Sequence, residues 1–149
     1  GRGGIWKIRP DGREATQVVA GMNLVPETSP DGRYVAFRGP GRQRIVRLAD
    51  GTLLQTELAS TDRYRWSVES GRTYLWALGI VEQGTEIRRY PFDPQRGELG
   101  APEIVLEADT ALRAETLGVA RDGSALTFAS YANRRGQLIR IDGLTDLTR

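Results

Sequence analysis

Apolar residues along this chain fall in short runs divided by turn-forming residues, and the runs follow two patterns. In the first, Tyr34-Val35-Ala36-Phe37 is apolar or aromatic throughout, with no polar alternation. Such a strand is covered on both faces, which predicts sheets stacked against neighbours rather than a sandwich with one wet face. It follows Ser29-Pro30-Asp31-Gly32-Arg33. There Pro30 presets φ for a type I turn, the Asp31 carboxylate reaches nearby backbone N–H groups, and Gly32 supplies the positive φ that closes a bulged hairpin. The design returns at Glu69-Ser70-Gly71-Arg72-Thr73-Tyr74-Leu75-Trp76 and at Arg121-Asp122-Gly123-Ser124-Ala125-Leu126-Thr127-Phe128. With the glycines aligned, Phe37, Trp76 and Phe128 form one column. Val35, Tyr74 and Leu126 form another, two residues earlier and on the same strand face.

The second pattern alternates. Ile5-Trp6-Lys7-Ile8, Arg44-Ile45-Val46-Arg47-Leu48, Glu86-Ile87-Arg88-Arg89-Tyr90 and Gln137-Leu138-Ile139-Arg140-Ile141 each run into a turn, at Asp11-Gly12, Asp50-Gly51, Phe92-Asp93-Pro94 and Asp142-Gly143. Short strands such as Thr16-Gln17-Val18-Val19 and Leu53-Leu54-Gln55-Thr56 follow. Two interleaved hairpin series give four antiparallel strands per repeat, the make-up of a propeller blade. The repeat intervals of about 39 and about 52 residues lie within reach of the roughly 40–50-residue blade period. The predicted fold is therefore all-β: a β-propeller of about three and a half four-stranded blades, a partial propeller or half ring in a single domain. The blades fall near residues 5–20 (half), 22–58, 62–107 and 116–149. Glu107 to Glu115 is too short to hold as a helix alone and reads as a connecting loop. Pro91 to Pro102, broken by Gly97 and Gly100, reads as a longer loop between the third and fourth strands of its blade.

A length of 149 residues suits one domain, and 27% charged with 39% hydrophobic residues is ordinary for a soluble globular chain. No apolar run approaches a membrane span, so no membrane insertion is expected. The chain opens on Gly1-Arg2-Gly3-Gly4 without Met or a visible signal peptide, which suggests an excised or mature piece. Net charge is +2, and the basic excess sits early: residues 1–50 carry nine basic and five acidic groups. A nucleic-acid binder would show a stronger basic stripe with stacking aromatics, so a solvated rim is the better reading and no nucleic acid is expected.

Absences narrow the chemistry. With no histidine and no cysteine, neither a Ser-His-Asp nor a Cys-His arrangement can be built, and histidine-ligated zinc and disulfides fall away. Gly39-Pro40-Gly41 lacks the lysine and helix of a phosphate loop. The Asp-Gly pairs at 11, 31, 50, 122 and 142 have the spacing of turns rather than of a calcium loop. Asp31 and Asp122, at equivalent turns of different blades, should stand too far apart for paired acid-base work. Trp6, Trp66 and Trp76 could form a ligand wall, although Trp76 suits packing between blades better. No catalytic, cofactor-binding or metal-ligating residue is expected. The best exposed patch is Tyr131 with Arg134 and Arg135, in a hairpin between the second and third strands of the last blade; arginine at a loop tip suits carboxylate or phosphate capture.

Ser29-Pro30-Asp31-Gly32-Arg33-Tyr34-Val35-Ala36-Phe37 closely resembles the WD40-like PD40 repeat of TolB-type bacterial β-propellers. Arg121 to Ser130 followed by Gln137 to Asp142 looks like the same repeat, and Pro91-Phe92-Asp93-Pro94 with Gly97, Gly100 and Pro102 is similar to a longer blade hairpin in the bacterial members. The middle copy departs, with Glu69-Ser70-Gly71 in place of Pro-Asp-Gly. The resemblance covers nearly the whole chain and is specific for fold, since the repeat residues are structural. It implies a non-enzymatic binding or scaffold module for a protein or peptide partner, perched beside a kinase or DNA-binding domain as a sensor. The alternative is the substrate-gating propeller of a prolyl-oligopeptidase-like serine peptidase, whose enzymes use similar repeats. The bacterial periplasm, or another extracytoplasmic side, is expected over the cytoplasm. Three and a half blades would not close a ring, so the remainder of a six- to eight-bladed propeller, or a second copy in a homodimer, is expected to cover the terminal blades.

Overall fold

The computed structural model describes residues 3–21, 24–40, 42–56, 58, 63–81, 84–108, 112–132 and 135–142. The chain divides into two compact units, Gly1–Leu58 and Ala59–Arg149. All regular structure among the described residues is β.

In the first unit β1 (Gly4–Lys7) pairs antiparallel with β2 (Thr16–Ala20), and β3 (Leu24–Thr28), β4 (Tyr34–Gly39) and β5 (Arg42–Arg47) form a three-stranded meander. Where the sequence predicts a fourth strand at Leu53-Leu54-Gln55-Thr56, the described residues give a single Val46–Leu53 bridge beside β5. Every residue of Tyr34-Val35-Ala36-Phe37 is buried, as an apolar run without alternation demands. Val35, Phe37 and Val46 pack with Ile5 of the neighbouring sheet, and Val18, Val19 and Leu48 close the cluster.

The second unit holds two sheets. The first is the meander β6 (Tyr64–Glu69), β7 (Arg72–Val81), β8 (Gly84–Asp93) and β10 (Glu103–Ala108), with the short β9 (Glu98–Leu99) pairing to the end of β8. The second is β11 (Leu112–Val119), β12 (Ala125–Ala132) and β13 (Arg135–Asp142). Tyr74, Trp76, Leu78 and Ile87 of one sheet interlock with Leu117, Leu126 and Phe128 of the other. On the opposite face of β6–β8, Tyr64, Trp66, Leu75, Tyr90 and Phe92 are also buried, so this sheet too is covered on both sides. The column of Phe37, Trp76 and Phe128 is buried at every member.

The turns explain why these strands pair as they do. Before β4, the Ser29 hydroxyl donates to Asp31 Oδ1 (2.6 Å) and accepts from the Tyr34 N–H (3.0 Å), while Asp31 Oδ1 also takes the Arg33 N–H (3.0 Å). Gly32 sits at φ +69°. The turn before β12 repeats this scheme, with Asp122 Oδ1 accepting from the Ser124 N–H (3.1 Å) and hydroxyl (2.7 Å). Between β6 and β7 the loop shrinks to Ser70 (φ +47°) and Gly71 (φ +80°), because Glu69 pairs directly with Arg72. Two successive positive φ values make this a type I′ hairpin.

Two segments read as loops are strand in part: residues 94–97 and 100–102 of the first stay outside strands, and residues 109–111 of the second lie outside the described residues. Pro91-Phe92-Asp93 continues β8, with Tyr74 opposite Pro91. The Pro91 carbonyl accepts from the Gly100 N–H (2.8 Å), so the missing proline N–H also points to that outer side and costs the β7–β8 ladder nothing. Glu107 and Ala108 finish β10 opposite Glu86 and Thr85, and Leu112 to Glu115 lie in β11. The β11–β12 register slips between Arg113 and Gly118, and there the Thr116 hydroxyl takes the Ala129 N–H (2.7 Å) in place of a ladder carbonyl.

Candidate functional site

Strand register alone gathers the deepest polar cluster of the described residues. On one face of the β6–β10 sheet, Ser67 lies opposite Tyr74, Trp76 opposite Arg89, and Arg89 opposite Glu103. The Trp76 indole N–H donates to Ser67 Oγ (2.8 Å), and the Ser67 hydroxyl donates to Glu69 Oε1 (2.7 Å). Arg89 Nη1 donates to Glu69 Oε2 (2.6 Å), while its Nε and Nη2 donate to Glu103 Oε2 at 3.1 and 2.5 Å. The guanidinium lies 4.7 Å from the Tyr74 ring centre and 5.6 Å from that of Trp76. Arg89 is only 6% exposed. Burial by itself pulls its pKa down, but the Glu103 hydrogen bond and the Glu69 and Glu103 charges outweigh that and hold it above the ordinary value. Both Glu69 oxygens are already accepting, which suits a structural ion pair rather than a general base. The relay also seats the next sheet: a Cβ at Gly123 would overlap the Glu69 carboxylate, and the Val68 N–H donates to the Arg121 carbonyl (2.7 Å).

At the C-terminal end of β8, a cleft of about 420 Å³ opens beside the β8–β9 hairpin. Pro91, Phe92, Pro94, Leu99 and Gly100 supply its apolar lining, with Arg72, Asp93 and Glu98 at its borders. The hairpin is tightly tied. Asp93 Oδ1 accepts the Gln95 (2.8 Å) and Arg96 (3.2 Å) N–H groups, which hold its carboxyl below the usual range, and the Gly97 N–H donates to the Asp93 carbonyl (2.8 Å).

A second cleft, about 570 Å³, belongs to the first unit. Arg42, Gln43 and Arg44 of β5 face Leu53 to Thr56 across it. Backbone bonding between the two segments reaches the Leu54 N–H to Ile45 carbonyl (2.8 Å), and Gln55 and Thr56 continue outside any ladder.

Of the residues singled out by sequence, Tyr131 and Arg135 sit on the last rungs of the β12–β13 hairpin, where Tyr131 pairs with Gly136 and Ala132 with Arg135; the structure describes their backbone only. Arg134 lies outside the described residues. Trp66 and Trp76 occupy opposite faces of one sheet and share no wall: Trp66 meets Phe92 edge-on at 5.1 Å, while Trp76 faces the relay. Trp6, in the other unit, is 51% exposed. Asp11, Asp31, Asp50 and Asp122 each accept the N–H two residues on, the bond their turns require. The relay and the two clefts escaped the sequence reading, because Ser67, Glu69, Arg89 and Glu103 meet only through pairing register. The one available signal was an acid, Glu69, standing where the repeat has proline.

No protein-family model and no curated protein matches the sequence. Solved structures do resemble the fold. The chain is similar to TolB from Acinetobacter baumannii (TM-score 0.61, 20% identity, covering 92% of this chain and 34% of that one). It is also similar to the dihydro-heme d1 dehydrogenase NirN in complex with DHE (TM-score 0.52, 14% identity, covering 94% and 40%). A putative TolB from Agrobacterium tumefaciens aligns at TM-score 0.39 and 16% identity over 93% of this chain and 67% of that one. The chain thus spans about a third of the first of these and two fifths of the second. The likeness is one of fold, an all-β partial propeller, and a fold that serves both TolB and a dehydrogenase leaves function to be argued from sites.

Proposed function

We propose that this chain is a non-catalytic propeller segment that binds a protein or peptide partner in the cleft beside the β8–β9 hairpin. The observation that carries this reading is the preformed character of that cleft. Its apolar lining stands on a hairpin held by four backbone-directed bonds, from the Gln95, Arg96, Gly97 and Gly100 N–H groups. A lining that is already ordered loses little entropy when a partner docks, and an apolar floor with charges at its border is the make-up of a binding patch core and rim. The finer form of the proposal is sensor duty beside a kinase or DNA-binding domain in a longer protein. A gating propeller of a serine peptidase is its alternative. The flanking reading frame separates them: an upstream kinase signature favours the first, a downstream Gly-x-Ser-x-Gly turn the second.

Peptide display against the full chain tests the site. Enriched peptides are expected to carry an apolar anchor and to lose about tenfold or more in affinity on Leu99→Asp, the loss of one central contact. Enrichment of peptides indifferent to Leu99→Asp and Arg72→Glu would count against the cleft.

A further inference from the structure

We infer that the cleft between Arg42–Arg44 and Leu53–Thr56 is a carboxylate-binding site, fitted to an acidic side chain of a peptide ligand. The inference is independent of the hairpin cleft in the other unit. It starts from two buried donors left over. Arg44 Nε and Thr56 Oγ1 are both shielded from solvent and have no hydrogen-bond partner among the described residues. A buried charged donor without an acceptor is costly, and where one persists in a folded chain a missing ligand is a standard explanation. Both atoms belong to residues lining the same cleft.

The surroundings point to the class of ligand. Other arginines of this unit are matched by acids close in sequence: Arg47 to Asp50 at 3.0 Å, Arg33 to Asp31 at 3.7 Å, and Arg9 to Glu14 at 3.3 Å. Arg42 and Arg44 form no ion pair with a described residue, and no acid lines their cleft among the described residues. Arg44 is also held in place. It crosses Gly39, where a Cβ would stand 3.2 Å from its Cδ and 3.3 Å from its Nε, so glycine makes room for the side chain to lie flat. A guanidinium fixed along its stem offers Nε and a terminal nitrogen as two parallel donors, the spacing that a planar carboxylate matches. The Thr56 hydroxyl adds a donor from the opposite wall. The volume of about 570 Å³ admits a side chain with its flanking backbone, which favours a peptide carboxylate over a small free anion.

Arginine side-chain NMR on the full chain tests the site. The probes are an Asp/Glu hexapeptide, its Asn/Gln counterpart and inorganic phosphate. The acidic peptide should move the Arg44 Nε–H resonance saturably, and the neutral peptide should leave it still. Phosphate should bind at least tenfold more weakly than the acidic peptide. Arg44→Gln should weaken binding about tenfold or more, as loss of a charged hydrogen-bonded pair does. Thr56→Val should weaken it several-fold, and Arg96→Gln, an equal charge change in the other unit, should leave it unchanged. Arg44→Lys keeps the charge and the stem but removes the parallel donors, so it should lose nearly as much as Arg44→Gln and serves if that variant folds poorly. The site is overturned if the Arg44 signal ignores the acidic peptide, if the neutral peptide binds as well, or if Arg44→Lys binds like the parent. Phosphate binding as tight as the peptide would replace the carboxylate assignment with a free anion.

Discussion

The hairpin between β3 and β4 and the hairpin between β6 and β7 hold equivalent places in their sheets, yet they dispose of their polar groups in opposite directions. In the first, Asp31 and Ser29 close the turn themselves, and Arg33 is drawn outward to Asp31. In the second, Ser70-Gly71 closes the loop by backbone geometry alone, at φ +47° and +80°. That leaves Glu69 unused by the turn, and it points into the sheet face to meet Ser67 and Arg89. A turn that needs no side-chain cap releases an acid to the interior, and the interior then needs an arginine. The departure of the middle copy from Pro-Asp-Gly is therefore an exchange of a surface cap for a buried ion pair.

The largest expected effect is on that ion pair. Arg89→Ala strands Glu69, whose side chain is 10% exposed, and should cost about 3–5 kcal/mol in urea unfolding. Arg33→Ala, at the exposed equivalent, should change stability by no more than about 0.5 kcal/mol. Equal costs for the two would erase the contrast. Next come the hydrogen bonds that organise each hairpin. Ser67→Ala leaves the Trp76 indole N–H without its acceptor, and Ser29→Ala does the same to the Tyr34 N–H; each should cost about 1–3 kcal/mol. A neutral Ser29→Ala would show that the first turn closes without its side chains.

A smaller gain is expected at Ser70. A non-glycine residue at positive φ is strained, and asparagine tolerates that region, so Ser70→Asn should stabilise the chain by up to about 1 kcal/mol. Loss of stability would mean that Ser70 is held by something other than the I′ turn. The smallest effect is electrostatic and lies at the surface. Asp50 accepts from the Thr52 N–H and hydroxyl and then from Arg47, and its pKa falls from 3.8 to about 2. A carboxyl lowered by folding stabilises fully above its unfolded value near 4, and that contribution is lost as pH falls through the folded one. A carboxyl-carbon NMR titration should place its midpoint near 2, and Thr52→Ala should raise it; a midpoint near 4 in the parent chain would remove the cap from the picture.

Periodicity and turn chemistry made most of the fold legible. Gly32, Gly71 and Gly123 marked three hairpins, and the absence of alternation in Tyr34 to Phe37 foretold a sheet buried on both faces. Pro91 misled because proline is discouraging in a strand until its missing N–H is known to point off the ladder, which sequence does not reveal. The two ends of Glu107 to Glu115 misled because local composition carries no trace of the partners, Glu86 and Thr85 for Glu107 and Ala108 and β12 for Leu112 onward, that make them strand. The candidate sites were the least legible. Arg44 and Thr56 stand out only for lacking partners among the described residues, and that is a property of three-dimensional neighbours. Arginines 134 and 135 were conspicuous in sequence for the opposite reason, a local run of charge.

A double-mutant cycle between Glu69 and Arg89 tests most directly the claim that the second hairpin turns its acid inward to hold the sheet. Glu69→Gln, Arg89→Met and the double variant would be unfolded in urea alongside the parent. The predicted result is a coupling of about 2–3 kcal/mol, with the double variant far less destabilised than the two singles summed. Singles that add to within about 0.5 kcal/mol would show two independent surface charges and contradict it.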